Sequence, residues 1–370
     1  MKKSALRWLP AVGVPVVVIA AAITVPAFAE TSPTLPDKSA SEVLQLVADS
    51  DVTAYSGTLE QRSDLGLPEL PAMGGSDSSG DTVSSALELL TGSHTARVFV
   101  GGADTSRVQV MDTLAERDVV RNGSDVWLYS SDTNEATHVA LDQNKESAGE
   151  ALPQSTATPA EITSQLLDSL DPTTTVTVGD TAKVAGRSAY SLTLTPKTDN
   201  TLVGSVTVSV DSETGLPLGV IVTANGSKDP AFSVTFSSID FATPDAALFT
   251  FTPPAGATVT EAAEPTANAP STDSSTDGAG DHPRPIVTGE GWDAIVEFPA
   301  GDTPTVDGST DDATESGSDA TALLEQLTVE VPEGRVVQTS LVSILFTTDG
   351  RTFAGAVSAE QLQAAARAAE

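Results

Sequence analysis

The chain of 370 residues contains no cysteine. Disulfides are therefore excluded, although an exported chain would be permitted them, and so is a lipid anchor through a cysteine thioether. The fold must be held by its core. Histidine is nearly absent as well: His94, His138 and His282 are the only three. They fall at a strand entry, in a hairpin strand and in a linker, and none stands in a Ser/His/Asp or metal-ligand spacing. They read as exposed imidazoles. No G-x-S-x-G, phosphate-binding loop or dinucleotide fingerprint occurs, so neither an enzyme nor a cofactor is expected. Basic residues are scarce, 18 against 51 acidic ones, for a net charge of −33. Such a surface repels nucleic acid and anionic membranes and keeps an exported protein dispersed.

What is present begins with a targeting segment at residues 1–29. Lys2, Lys3 and Arg7 open it, an apolar stretch runs over about 8–25, and Ala27-Phe28-Ala29 fits a small-x-small cleavage site. Pro10 and Pro15 within the stretch favour a cleaved signal peptide over an uncleaved membrane anchor. The chain is thus expected to be exported, and either secreted or retained in the cell envelope. Acidity is uneven: residues 261–320 hold 14 acidic residues and one arginine, Arg284. That stretch cannot all be packed core.

The most informative segment is 122–139. An Asn122-Gly123 turn leads into a strand that carries Val126 and Leu128 on one side and Trp127 and Tyr129 on the other. Both faces are apolar, so each needs a cover. Around it the chain reads as a first helix at 39–48, a strand at 55–62, an apolar-flecked loop at 65–80 and a helix at 83–90. Close-set strands follow at 95–100, 106–111, 115–121, 125–131 and 135–141. Thr158-Pro159-Ala160-Glu161 opens a helix with a capping box, and Ile162, Leu166, Leu167 and Leu170 form its apolar stripe. A second meander has strands at 174–178, 187–195, 203–210, 217–223 and 232–241. Phe249-Thr250-Phe251 closes it. After a linker at 262–281 comes a small unit. It has a strand at 293–298, an acidic loop at 302–319, a helix at 320–327, strands at 335–339, 341–347 and 352–357, and a helix at 358–369.

The fold class is α+β. A curved antiparallel half-barrel sheet is expected at 30–260, with helices covering its concave face. An acidic linker at 261–285 joins it to a small C-terminal α+β domain at 286–370. The strand residues Phe99, Met111, Trp127, Tyr129, Leu192, Leu194 and Phe236 are candidates to line a hydrophobic cavity. Trp127 and Tyr129 are expected to face it. Each alone reads as ordinary core, but a cavity lined by the set could hold an acyl chain, at about 0.8 kcal/mol per buried methylene. Asp273-Ser274-Ser275-Thr276-Asp277-Gly278 lacks the middle and closing ligands of a calcium loop, so no metal is expected.

Four segments in order, 122–132, Val184-Ala185-Gly186-Arg187-Ser188-Ala189-Tyr190, 210–217 and 249–256, resemble the LolA/LolB-type lipoprotein-carrier superfamily and the related RseB/MucB regulators. The likeness is strongest to the long variants of high-GC Gram-positive bacteria and covers about 39–259. It implies a non-enzymatic carrier of a lipid or lipoprotein acyl chain, held under a helical lid. The additional C-terminal unit resembles the two-domain regulators. That implies an alternative, a regulatory protein that binds the extracellular part of a membrane partner such as an anti-sigma factor.

Overall fold

The computed structural model describes residues 35–67, 92–111, 115–141, 158–168, 173–262, 285–300 and 327–369. The leader, the helix at 83–90 and the acidic loop at 302–319 lie outside the described residues. So do most of the 65–80 loop, the linker, and the helix at 320–327 except Leu327.

Helix α1 (Ala40–Ala48) starts where local chemistry dictates. The Ser39 hydroxyl accepts from the Glu42 amide at 3.4 Å while Glu42 accepts from the Ser39 amide at 2.8 Å. Helix α2 (Pro159–Asp168) uses the same box, with Thr158 and Glu161. Proline at its first position costs no hydrogen bond, because that amide has no partner within the helix.

The strands are β1 (Tyr55–Ser63), β2 (Gly92–Gly102), β3 (Thr105–Met111), β4 (Glu116–Asn122), β5 (Asp125–Ser130) and β6 (Glu135–Ala140), then β7 (Thr174–Val178), β8 (Ala182–Val184), β9 (Arg187–Pro196), β10 (Val203–Asp211), β11 (Pro217–Ala224), β12 (Pro230–Asp240) and β13 (Thr258–Ala262). They form one open 13-stranded sheet ordered β13-β6-β5-β4-β3-β2-β1-β12-β11-β10-β9-β7, with β8 on β9. β1 joins the two meanders by pairing with β2 on one side and β12 on the other.

One expectation needs correcting. The sheet is mixed rather than purely antiparallel, because β13 runs parallel to β6. Sequence reading assigned this stretch to the domain end and the linker. Thr258, Val259, Thr260 and Glu261 are exposed, so they carry no buried-face pattern that would have announced a strand.

A second sheet follows, built from β14 (Ile286–Thr288), β15 (Ile295–Phe298), β16 (Val329–Val331), β17 (Gly334–Gln338), β18 (Ser343–Thr347) and β19 (Thr352–Gly355). Its order is β14-β15-β19-β18-β17-β16. Helix α3 (Ala359–Ala368) is capped by Ser358 and Gln361. Its Leu362 and Ala366 bury against Val336, Leu345, Phe353 and Val357 to make a core of their own. The unit is also docked. Leu341 and Ala356 belong to the buried cluster of the large sheet. The Leu202 amide donates to the Ala356 carbonyl at 2.8 Å, and the Ser340 amide to the Leu65 carbonyl at 2.9 Å. The Trp292 indole donates to Thr174 Oγ1 at 2.8 Å.

Candidate functional site: the apolar face of an open sheet

Residues paired across neighbouring strands share a face, so the register sorts every side chain of the sheet. One face carries Leu128, Val119, Val108 and Val98 across β5 to β2. It continues through Leu59 and Phe236, and through Gln61, Val234, Val220, Val208 and Leu192. This face is largely apolar from β2 to β9, while on β4 Val119 stands between Arg117 and Arg121. Val98, Leu192, Leu194, Val208 and Val210 are fully buried in one continuous cluster. Helix α1 lies against β7 and β9, and α2 against β11. Val43 of α1 enters the same cluster, with Ala160 and Ile162 of α2 beside it. Toward the β6 edge the apolar packing separates into a smaller group around Val126, Val139 and Leu141.

Tyr55 sits on this face at the middle of the sheet. Its ring meets Phe236 edge-on, centroids 5.9 Å apart. Burial pushes its hydroxyl up to about 12, and Thr158, the cap of α2, hydrogen-bonds it. The phenol therefore stays neutral beside the start of α2. Tyr190, also buried, donates through its hydroxyl to the Pro36 carbonyl at 3.0 Å and so ties down the segment leading into α1. Helices α1 and α2 thus lie against the apolar face over a largely non-directional interface.

The opposite face is different on its two halves. On β2 to β6 a row runs Phe99, Arg107, Val120, Trp127, His138, with Glu261 of β13 beyond. Trp127 stacks on His138 with centroids 4.4 Å apart, and Phe251 covers both Trp127 and Tyr129 at 5.4 and 5.7 Å. Arg107 holds the buried Asp118 with two nitrogens and donates a third hydrogen bond to the Leu248 carbonyl at 3.0 Å. Burial pushes the Asp118 carboxyl up, against the pull of Arg107. On β12, β11, β10 and β9 the same face carries mostly serine and threonine, including Thr235, Thr207 and Thr193.

The seven candidate residues therefore divide. Leu192, Leu194 and Phe236 lie on the apolar face, each fully or almost fully buried. Phe99, Met111, Trp127 and Tyr129 pair on the other face and are half-buried, although Met111 also packs against the apolar-face cluster. The set does not share one face, and Trp127 and Tyr129 meet Phe251. Strand alternation shows that Trp127 opposes Val126; it does not show which side the helices take. His138 corrects another expectation. Its side chain is only 17% exposed, and its two ring nitrogens meet Glu261 at 2.8 Å and Asp125 at 3.0 Å. Only the β13 pairing brings Glu261 there, so no sequence spacing could have found it. Tyr55 and Thr158 were also missed as a pair, being far apart in sequence.

Among the described residues no group of histidines and carboxylates could hold a metal ion, and no helix is long and apolar enough to cross a membrane. A family model described as a predicted periplasmic protein (DUF2092) matches residues 75–261. No curated protein matches the chain. Among solved structures, the complex of Pseudomonas aeruginosa MucA/MucB is similar at 15% identity, covering 88% of this chain and 96% of that one with a TM-score of 0.42. A structure of MucB alone is similar at 17% identity over 89% and 96% of the two chains, with a TM-score of 0.41. A LolA superfamily protein from Nitrosomonas europaea is similar at 11% identity over 58% and 99%, with a TM-score of 0.26.

Proposed function

The chain belongs to the DUF2092 family of predicted periplasmic proteins, and on that premise we propose that it is an exported, non-enzymatic binder or carrier of a lipid or lipoprotein acyl group. The observation that supports this reading is the unclosed sheet with one face largely apolar from β2 to β7. Its ends, β13 and β7, do not pair, so that face is covered by helices and loops rather than closed off by strands. Helices packed on a sheet by apolar contacts rather than by strand pairing can shift without breaking a ladder. An acyl chain entering beneath them gains about 0.8 kcal/mol for each methylene it buries and needs no polar anchor. Leu192, Leu194 and Phe236 are the residues proposed to face it. Protein purified gently from its host should carry lipid at about one equivalent, seen by native mass spectrometry and recovered by solvent extraction. Lipid-free protein under those conditions would sink the proposal.

A second reading is a regulatory protein that binds the extracellular part of a membrane partner through residues 286–370. Its support is the edge of the small sheet, where Val329 of β16 is 66% exposed and Ile286 of β14 is 55% exposed. Exposed apolar side chains on unpaired edge strands are templates for another chain. Val329→Lys and Ile286→Lys should abolish pull-down of a membrane partner from detergent extracts and leave lipid content unchanged. Unaltered pull-down would reject this reading without touching the first.

A further inference from the structure

The polar face of the sheet carries a groove of about 410 Å³ across β2, β1 and β12. Two rows make its floor. Arg97 pairs with Thr58, which pairs with Ser238, and Phe99 pairs with Ser56, which pairs with Asp240. One backbone device shapes the groove. A bulge in β12 leaves one extra residue, Ser237, between the partners of Thr58 and Leu59. Gly57 beside it pairs with Ile239, and a Cβ there would lie 2.5 Å from the Ser238 carbonyl and 2.8 Å from the Phe236 ring, so its absence makes room on the apolar face beneath the groove. Bulges re-aim side chains and recur beside binding sites.

The contents of the groove are chemically specific. Arg97 has no ion pair or hydrogen bond among the described residues, whereas Arg107, Arg121, Arg187, Arg351 and Arg367 each hold a carboxylate. An arginine left unpaired in a chain with 51 acidic residues offers a planar fork of donors. Asp240 uses one carboxylate oxygen on the Ala242 amide at 2.8 Å and keeps acceptor capacity on the other. Phe99 offers an aromatic ring, half-buried on the same face as both. Ser56, Thr58 and Ser238 add hydroxyls that donate or accept.

An anion would meet Asp240 in the groove and a net charge of −33 around it. A neutral polyol meets neither penalty. Its vicinal hydroxyls can accept from a guanidinium and donate to a carboxylate, and the C–H face of a sugar ring packs on an aromatic ring. We propose that this groove binds a neutral carbohydrate, with Phe99 as the stacking platform and Arg97 and Asp240 as the hydroxyl-reading pair. The site is on the opposite face from the proposed lipid site and is independent of it. The serine and threonine rows running on through Thr235, Thr207 and Thr193 would extend the track for a longer glycan.

Saturation-transfer NMR and titration on the full chain test this, with chitotriose and maltotriose as neutral probes and trigalacturonate as an acidic one. At least one neutral probe should bind. Arg97→Ala and Asp240→Asn should each weaken it about tenfold with no change in melting temperature. Arg62→Ala, on the same face outside the groove, should leave affinity unchanged. Phe99→Leu should remove transfer to the ring protons while preserving the fold. Three results would each overturn the proposal: no binding of either neutral sugar, preference for trigalacturonate, or binding indifferent to Arg97→Ala and Asp240→Asn.

Discussion

At the residue scale, the sequence shows which side chains are apolar and which are charged, but pairing decides their consequence. Asp118 is 3% exposed and Arg107 19%, and neither would be tolerable there alone. Arg107→Ala should cost about 3 kcal/mol, because it leaves a buried carboxylate without its cation. The midpoint of urea denaturation measures this, and the double replacement Arg107→Leu/Asp118→Leu should recover much of it. Eleven positions separate the two residues, and only the β3–β4 register sets them side by side. Gly215 makes the same point for backbone. Its φ is +75°, and a Cβ there would lie 2.0 Å from the Leu46 carbonyl of α1. Gly215→Ala should destabilise by about 1–3 kcal/mol and weaken the seating of α1, seen as faster amide exchange over residues 40–48. That Gly215 gives α1 room to approach could not be read from its neighbours in sequence, because Leu46 lies far from it along the chain.

At the element scale, the capped helices and the hairpin strands were legible because their signals are local. Ser39, Thr158 and Ser358 each cap the helix that follows them, and alternation placed the longer strands to within a few residues, while the three-residue strands β8, β14 and β16 are too short to show a pattern. β13 was not legible, because it gains its place from a remote partner. Its hold on β6 includes His138, with Glu261 on β13 and Asp125 on β5 as the charged groups facing the ring. Burial pulls the imidazole down, and the hydrogen bonds to these two carboxylates outweigh it, so it lies above its ordinary 6.5. The charged ring is therefore favoured in the folded edge. Its contribution is complete below about pH 6.5 and is lost as pH rises through the higher folded value. Trp127 reports on this directly, since a protonated ring stacked on an indole quenches it. The fluorescence difference between the native chain and Trp127→Phe should rise with pH across that window. In His138→Gln the difference should be flat. Amide exchange over residues 258–262 should quicken over the same range; an unchanged rate would mean that backbone pairing alone holds β13.

At the scale of the whole molecule, the two sheets share a core. Leu341 is 1% exposed within the cluster of the large sheet. Leu341→Ala should cost about 2–5 kcal/mol and lower the melting of both sheets in a single transition, followed by calorimetry. Two separated transitions would mean independent units. The high negative charge acts on everything at once. Melting temperature should rise from low to physiological salt, as self-repulsion is screened over about 10 Å. The sequence by itself determined the absence of disulfides, the net negative charge, and much of the succession of capped helices and alternating strands. Each of these depends on composition or on neighbours within a few residues. Only the tertiary structure decided which face of the sheet the helices cover, that β13 returns to pair with β6, and that the small sheet is docked. Trp127 and Leu192 look alike in a list of apolar strand residues. Strand pairing, set by contacts between distant segments, puts them on opposite sides.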